Sequence, residues 1–207
     1  MPPPKLANPL ALAVLVLLFE KDMHPYEMAA TLKERKKEDS IKLRYGSLYT
    51  VIGLLEREKL IAPFKTSRAG RRPERTVYRI TPAGTVEMRA WLQSILSAPV
   101  KEYPLFEAGL SLLPAVAPQE AVGLLEARAQ RLDETIASHG QALGSSAKKI
   151  DPLFLIESEY HLEILKAERR FVQNLVGHIK GETWPSIKIW KSVHARGRGK
   201  GGFKWEA

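Results

Sequence analysis

Four arginines, Arg68, Arg71, Arg72 and Arg75, fall within eight residues of one another, with Gly70 and Pro73 among them. Cations this close repel one another unless a polyanion lies nearby. Guanidinium groups bind phosphate bidentately, and narrow minor grooves attract them. Just upstream, Gly46, Thr50, Gly53 and Arg57 recur at i, i+4, i+7 and i+11. No large apolar side chain joins this stripe, and small or polar residues let a helix lie close in a groove, with Arg57 placed for phosphate. Each feature alone has an ordinary alternative. A basic loop can simply be solvated, and a polar stripe can be the wet face of an amphipathic helix. Side by side they favour nucleic acid.

The elements that must hold these residues are legible. The stripe lies on a predicted helix from about Tyr45 to Lys59, whose other face carries Leu48, Val51, Ile52 and Leu55 at core spacing. Leu60–Thr66 and Arg75–Thr81 read as two strands, and the residues from Ser67 to Glu74 between them form the arginine-bearing tip of a hairpin. Pro63 makes the first strand short or an edge strand. Upstream, Asn8 caps and Pro9 opens a helix to Phe19 that is apolar almost all round, and Pro25 opens a second to about Lys36 with Met28, Ala29 and Leu32 on one stripe. Thr81 and Pro82 start a fourth, running to Ser97 with Val86, Met88, Trp91, Leu92, Ile95 and Leu96; Trp91 there suits a core, an interface or a ligand wall. Helix, helix and basic hairpin in this order make a winged helix-turn-helix over residues 9–97, behind a flexible arm at 1–8.

Ala98-Pro99 marks a boundary. Beyond it come a short helix at Leu105–Leu113 and a long one from Pro118, on which Val122, Leu125, Ala129, Leu132, Ile136, His139 and Leu143 trace a heptad seam. After a break at Gly144-Ser145-Ser146, another long helix runs from about Pro152 to Lys180. Its apolar face is wide, with Leu165, Val172, Leu175 and Ile179 on one edge and Tyr160, Ile164, Ala167 and Phe171 on the other. Two such antiparallel helices are expected to pack on each other and on a second copy, so residues 98–180 read as a dimerisation domain. His139 and His161 fit hydrogen-bonded interface positions better than metal ligation, because no partner ligands have the needed spacing. Residues 181–207, with Trp184, Trp190, Phe203 and Trp205 among basic and Gly-rich sequence, read as a largely disordered tail, at least from His194. The fold class is therefore mainly α with a small β-hairpin wing.

The formal net charge of +9 is distributed as about +7 over residues 1–97, −2 over 98–180 and +4 over 181–207, so a polyanion would meet the ends of the chain. The absence of cysteine rules out a disulfide scaffold, a thiolate metal site and a cysteine nucleophile, and fits a reducing cytoplasm. The apolar run Leu10–Phe19 is too short to span a membrane and lacks the flanks of a leader peptide, so no membrane partner is expected. No arrangement of Ser, His and acidic residues suggests nucleophilic catalysis, and no Gly-rich phosphate loop follows a strand; neither an enzyme, a metal nor a cofactor is expected.

These motifs together resemble the PadR-like transcriptional regulators. The resemblance rests on Leu17-Leu18, His24-Pro25-Tyr26-Glu27, Gly46-Ser47-Leu48-Tyr49, Leu55-Glu56-Arg57-Glu58-Lys59-Leu60-Ile61, Gly70-Arg71-Arg72-Pro73 and Val77-Tyr78-Arg79-Ile80-Thr81-Pro82-Ala83-Gly84. It covers about residues 9–180 and points to the longer branch, with a two-helix C-terminal domain. Pro25 stands where the family often has Gly, and Thr50 where it often has Pro. The resemblance implies a cytoplasmic repressor, a homodimer on a palindromic DNA operator, released by a small aromatic or cationic molecule. Trp91 and the first helix would then wall the effector site. Lys42, Arg44, Tyr45, Ser47, Tyr49, Thr50 and Arg57 would meet the major groove and its phosphates, and Arg68, Arg71, Arg72 and Arg75 the backbone or minor groove. The other reading is a winged-helix protein-interaction module without sequence-specific DNA binding, which would be expected to lack charge on its wing.

Overall fold

The structure is a computed structural model describing residues 8–41, 45–67 and 75–195. It falls into two compact units divided between Lys101 and Glu102, a few residues beyond the boundary expected at Ala98-Pro99.

In the first unit the helices begin where the capping chemistry places them. Asn8 Oδ1 accepts from the Leu10 amide at 3.0 Å and Pro9 opens α1, Pro9–Glu20. Eight of its twelve residues are buried, so it is clasped on all sides as its apolar sequence requires. α2, Pro25–Glu34, has a cap that sequence reasoning missed. His24 Nδ1 accepts from the Tyr26 amide at 3.1 Å while the Glu27 carboxylate accepts from the His24 amide at 2.9 Å, a reciprocal capping box built on histidine. α3, Tyr45–Arg57, buries Leu48, Val51, Ile52 and Leu55 against α1 and α2. It ends through Lys59 in the left-handed region at φ 59°, a position that usually favours glycine.

β1, Ile61–Ser67, and β2, Arg75–Ile80, pair antiparallel from Ile61 opposite Ile80 to Ser67 opposite Arg75. A bulge between Pro63 and Lys65 leaves Phe64 as the extra residue. On its other side β2 bonds the α1–α2 turn: the Tyr78 amide donates to the Met23 carbonyl at 3.0 Å and the Met23 amide to the Tyr78 carbonyl at 3.2 Å. β1, with its proline, is therefore the outer strand. Thr81 Oγ1 accepts from the Gly84 amide at 3.0 Å and donates to the Lys59 carbonyl at 2.8 Å, starting α4, Pro82–Ser97, and tying it to the end of α3. Gly84 has no room for a side chain, since a Cβ there would lie 2.0 Å from the Leu60 carbonyl oxygen.

The second unit holds α5, Leu105–Ser111, α6, Pro118–Ser146, α7, Ile156–Lys180, and α8, Ile187–Ala195. α6 and α7 are antiparallel partners, cross-linked in register by Lys180 to Glu126, Arg169 to Asp133 and the tilted ring pair His139–His161, whose centroids lie 5.0 Å apart. Leu125 and Leu132 of the seam are buried with Val172, Leu175 and Ile179, while Val122, Ala129 and Ile136 pack beside them. Tyr160, Ile164 and Phe171, the other edge of α7, stay 47–68 % exposed. Within the tail expected to be largely disordered, at least from His194, residues Ile187–Ala195 form a helix. Ile187 and Trp190 are buried against the same core, Trp190 Nε1 donates to the Val116 carbonyl at 2.8 Å, and a His194 ring nitrogen lies 2.9 Å from the Pro114 carbonyl. Two apolar anchors and two polar ties suffice to dock a nine-residue helix that would be marginal alone. The rest of the tail, 196–207, and the arm before Asn8 lie outside the described residues. Among the described residues no helix is long and apolar enough to cross a membrane, and no group of three or more potential ligands could hold a metal.

Candidate nucleic-acid interface

α3 presents the stripe the sequence marked. Gly46, Tyr49, Thr50, Gly53 and Arg57 are exposed, Ser47 is half-buried, and the core residues lie opposite. Neither Gly46 nor Gly53 is required by packing, since a Cβ at either would meet nothing within 4 Å. A glycine inside a helix costs about 1 kcal/mol relative to alanine. At Gly53 that cost brings no packing return within the unit. What it leaves is an open strip along which another surface can come within backbone distance.

The groups on the strip differ in what they offer. Thr50 Oγ1 donates to the Gly46 carbonyl at 2.9 Å, so its proton is used inside the helix and only lone pairs and a methyl face out. The Tyr49 ring is 56 % exposed. Arg57 touches Glu58 only at 4.0 Å with most of its side chain in solvent, which leaves its guanidinium available to phosphate.

The base of the hairpin is braced. Arg79 of β2 grips Asp22 of the α1–α2 turn, with Nη2 to Oδ2 at 2.6 Å and Nε to Oδ1 at 2.9 Å, and its guanidinium lies 3.4 Å above the Phe64 ring. The bond to Arg79 holds the Asp22 carboxyl below its ordinary range. Tyr78 Oη is 3.5 Å from the Glu56 carboxylate of α3; burial first, then that carboxylate, raises its pKa. Arg79 is thus a brace, and sequence reasoning did not single it out. No local sequence pattern connects Asp22 and Arg79, which lie 57 residues apart. A second such tie, Arg35 to Glu20 at 2.7 Å, joins α2 to the end of α1 and holds the Glu20 carboxyl low. Tyr26, at the start of α2, is 67 % exposed and does not join the buried stripe of Met28, Ala29 and Leu32.

Of the other expected contacts, Lys42, Arg44, Arg68, Arg71 and Arg72 lie outside the described residues. Tyr45 opens α3 and Arg75 opens β2. Trp91 does not line an open wall. It is 4 % exposed and belongs to the same buried cluster as Met88 and the α1 leucines.

Comparisons with known proteins agree with this geometry. Residues 14–90 match the model of the transcriptional regulator PadR-like family. Among solved structures, Bacillus subtilis PadR in complex with operator DNA matches with TM-score 0.64 and 19% identity, over 83% of this chain and 99% of that one. The same regulator in complex with p-coumaric acid gives 0.67 and 16% identity, over 83% and 98%. The PadR-like regulator BC1756 from Bacillus cereus gives 0.55 and 16% identity, over 84% and 99%. At such identities the likeness is one of fold. No curated protein sequence matches. Residues 14–90, which carry the helix-turn-helix, the hairpin and the start of α4, are thus similar to the PadR-like family of transcriptional regulators.

Proposed function

We propose that this protein is a sequence-specific DNA-binding regulator that occupies a palindromic operator as a homodimer in the cytoplasm, represses transcription there, and leaves when a small molecule binds. The observation that carries the reading is the α3 strip, where Gly46, Thr50 and Gly53 clear a path to the backbone and an unencumbered Arg57 closes one end. Ser47, Tyr49 and Thr50 would face base edges, with Lys42, Arg44, Tyr45 and Arg57 toward the flanking phosphates. The wing arginines Arg68, Arg71, Arg72 and Arg75 would add backbone or minor-groove contacts. Solved structures of the similar Bacillus subtilis PadR with operator DNA and with p-coumaric acid support both the DNA and the effector halves of the proposal. The exposed edge of α7, Tyr160, Ile164 and Phe171, supports the dimer, since three large apolar side chains along one helix call for a cover.

The test is a binding titration against the DNA upstream of the protein's own gene over a range of salt. Removal of a single phosphate-binding cation should flatten the slope of log K against log salt by about 0.9. Replacing Arg71 and Arg72 with alanine removes two such cations per protomer. Unchanged affinity and slope in that variant would rule out the wing's role. Salt-independent or absent binding by the parent protein would favour the protein-interaction module instead.

A further inference from the structure

We infer that the second unit carries a site for an amphipathic aliphatic carboxylate, in a groove between α5 and α6. The groove has a volume of about 440 Å³, within the range of small-molecule sites. Its walls are Leu110, Leu113, Val116, Leu124, Leu125 and Leu132. The one aromatic ring in it, Phe106, already has a face covered by the Arg128 guanidinium at 3.7 Å, so the lining favours an alkyl body over stacked rings. The floor has a gap at Gly109, where a Cβ would meet nothing within 4 Å.

The polar end defines the head group. Arg128 is neutralised by Glu168, whose Oε1 accepts from Nε at 2.6 Å and lies 2.5 Å from Nη2. Arg131, one turn along α6, has no carboxylate partner among the described residues. Thr135, also lining the groove, spends its hydroxyl proton on the Arg131 carbonyl at 2.8 Å and offers only lone pairs and a methyl. The donors at this end are therefore those of one uncompensated guanidinium, and a carboxylate is the complementary acceptor. A cationic ligand meets net positive charge there. As the effector of the regulator proposed above, this ligand rests on that reading; the binding itself does not.

Calorimetric titration of the full-length protein with octanoate, decanoate, decanol and decyltrimethylammonium, all below their micellar concentrations, tests the site. Decanoate should bind once per chain and about tenfold tighter than octanoate, given about threefold to fourfold for each buried methylene. Decyltrimethylammonium should not bind. Arg131→Gln should weaken decanoate at least about tenfold and leave decanol unchanged, which a merely structural arginine would not do. Gly109→Leu, which fills the gap and improves the helix, should abolish binding of both with no loss of thermal stability. Absence of decanoate binding, equal binding of the cation, or undiminished binding by Gly109→Leu would each overturn the inference. So would a wild type that ignores decanoate while Gly109→Leu shifts from dimer to monomer, since the groove would then be a subunit interface. None of these measurements uses DNA, so a failure of DNA binding would count against the proposed function alone.

Discussion

Replacing Gly53 with alanine should raise the stability of the protein and lower its affinity for DNA. The residue sits in the middle of α3, and a Cβ there meets no atom within 4 Å, so the substitution introduces no clash inside the unit. Alanine is favoured over glycine in a helix interior by about 1 kcal/mol, which for a unit of this size raises the melting temperature by roughly 4–8 °C. The same methyl would stand on the strip where α3 is proposed to approach the major groove. A modest loss of fit there, about 1 kcal/mol per protomer, amounts to about 2 kcal/mol for a dimer on two half-sites, or roughly thirtyfold in affinity. Thermal melting by circular dichroism and fluorescence anisotropy on an operator-containing fragment read the two effects separately. A variant that melts higher and binds DNA as well as the parent would refute the argument, because Gly53 would then lie on a face that nothing approaches. A variant that melts lower would mean the space beside it is not open.

Gly84→Ala should do the opposite, since its Cβ would lie 2.0 Å from the Leu60 carbonyl oxygen; a loss of about 1–3 kcal/mol, read as a lower melting temperature, is expected even after the gain in helix propensity. Ile164→Glu with Phe171→Glu should convert a dimer to a monomer by light scattering while helix content by circular dichroism is retained, and an unchanged mass would place the dimer contact elsewhere. Trp190→Ala should destabilise the second unit by about 3–5 kcal/mol in urea titration, whereas a free tail would give no change. The carboxyls of Asp22 and Glu20 have their folded pKa values lowered by Arg79 and Arg35. Their stabilisation is therefore complete above the unfolded carboxylate pKa, about 4, and is lost as pH falls through the folded values. Asp22→Asn should melt lower than the parent at neutral pH and show a shallower decline on acidification, and parallel acid profiles would contradict that linkage.

What the sequence reveals and what it hides divide along the range of the interactions concerned. Caps and core stripes are local, so Asn8, Pro9, Thr81, Pro82 and the α3 leucines mark their helices without a structure. The polar strip is equally legible, because Gly46, Thr50 and Gly53 share a face by periodicity alone. The His24 cap was hidden because imidazole is an uncommon cap and Pro25 already explained the helix start. The Asp22–Arg79 brace and the docking of α8 were hidden because each joins segments distant in sequence. In α8 the two anchors, Ile187 and Trp190, are too few to show a period within a stretch whose basic and Gly-rich continuation suggested disorder. Trp91 was ambiguous for the opposite reason: a lone aromatic on a helical stripe looks the same in a core and in a ligand wall, and only its burial separates them.

The double tie between β2 and the α1–α2 turn, backbone at Met23–Tyr78 and side chain at Asp22–Arg79, bears on how such a regulator can change its target. Both ties lie at the base of the hairpin, and Tyr78 reaches Glu56 on α3 from the same place. The base of the hairpin is therefore tied both to the α1–α2 turn and to α3. A change in the base itself, at Asp22, Phe64 or Arg79, would disturb the tie between β2 and the α1–α2 turn. On the proposed function, variation in operator preference would then accumulate along the α3 strip while the brace holds β2 against the α1–α2 turn.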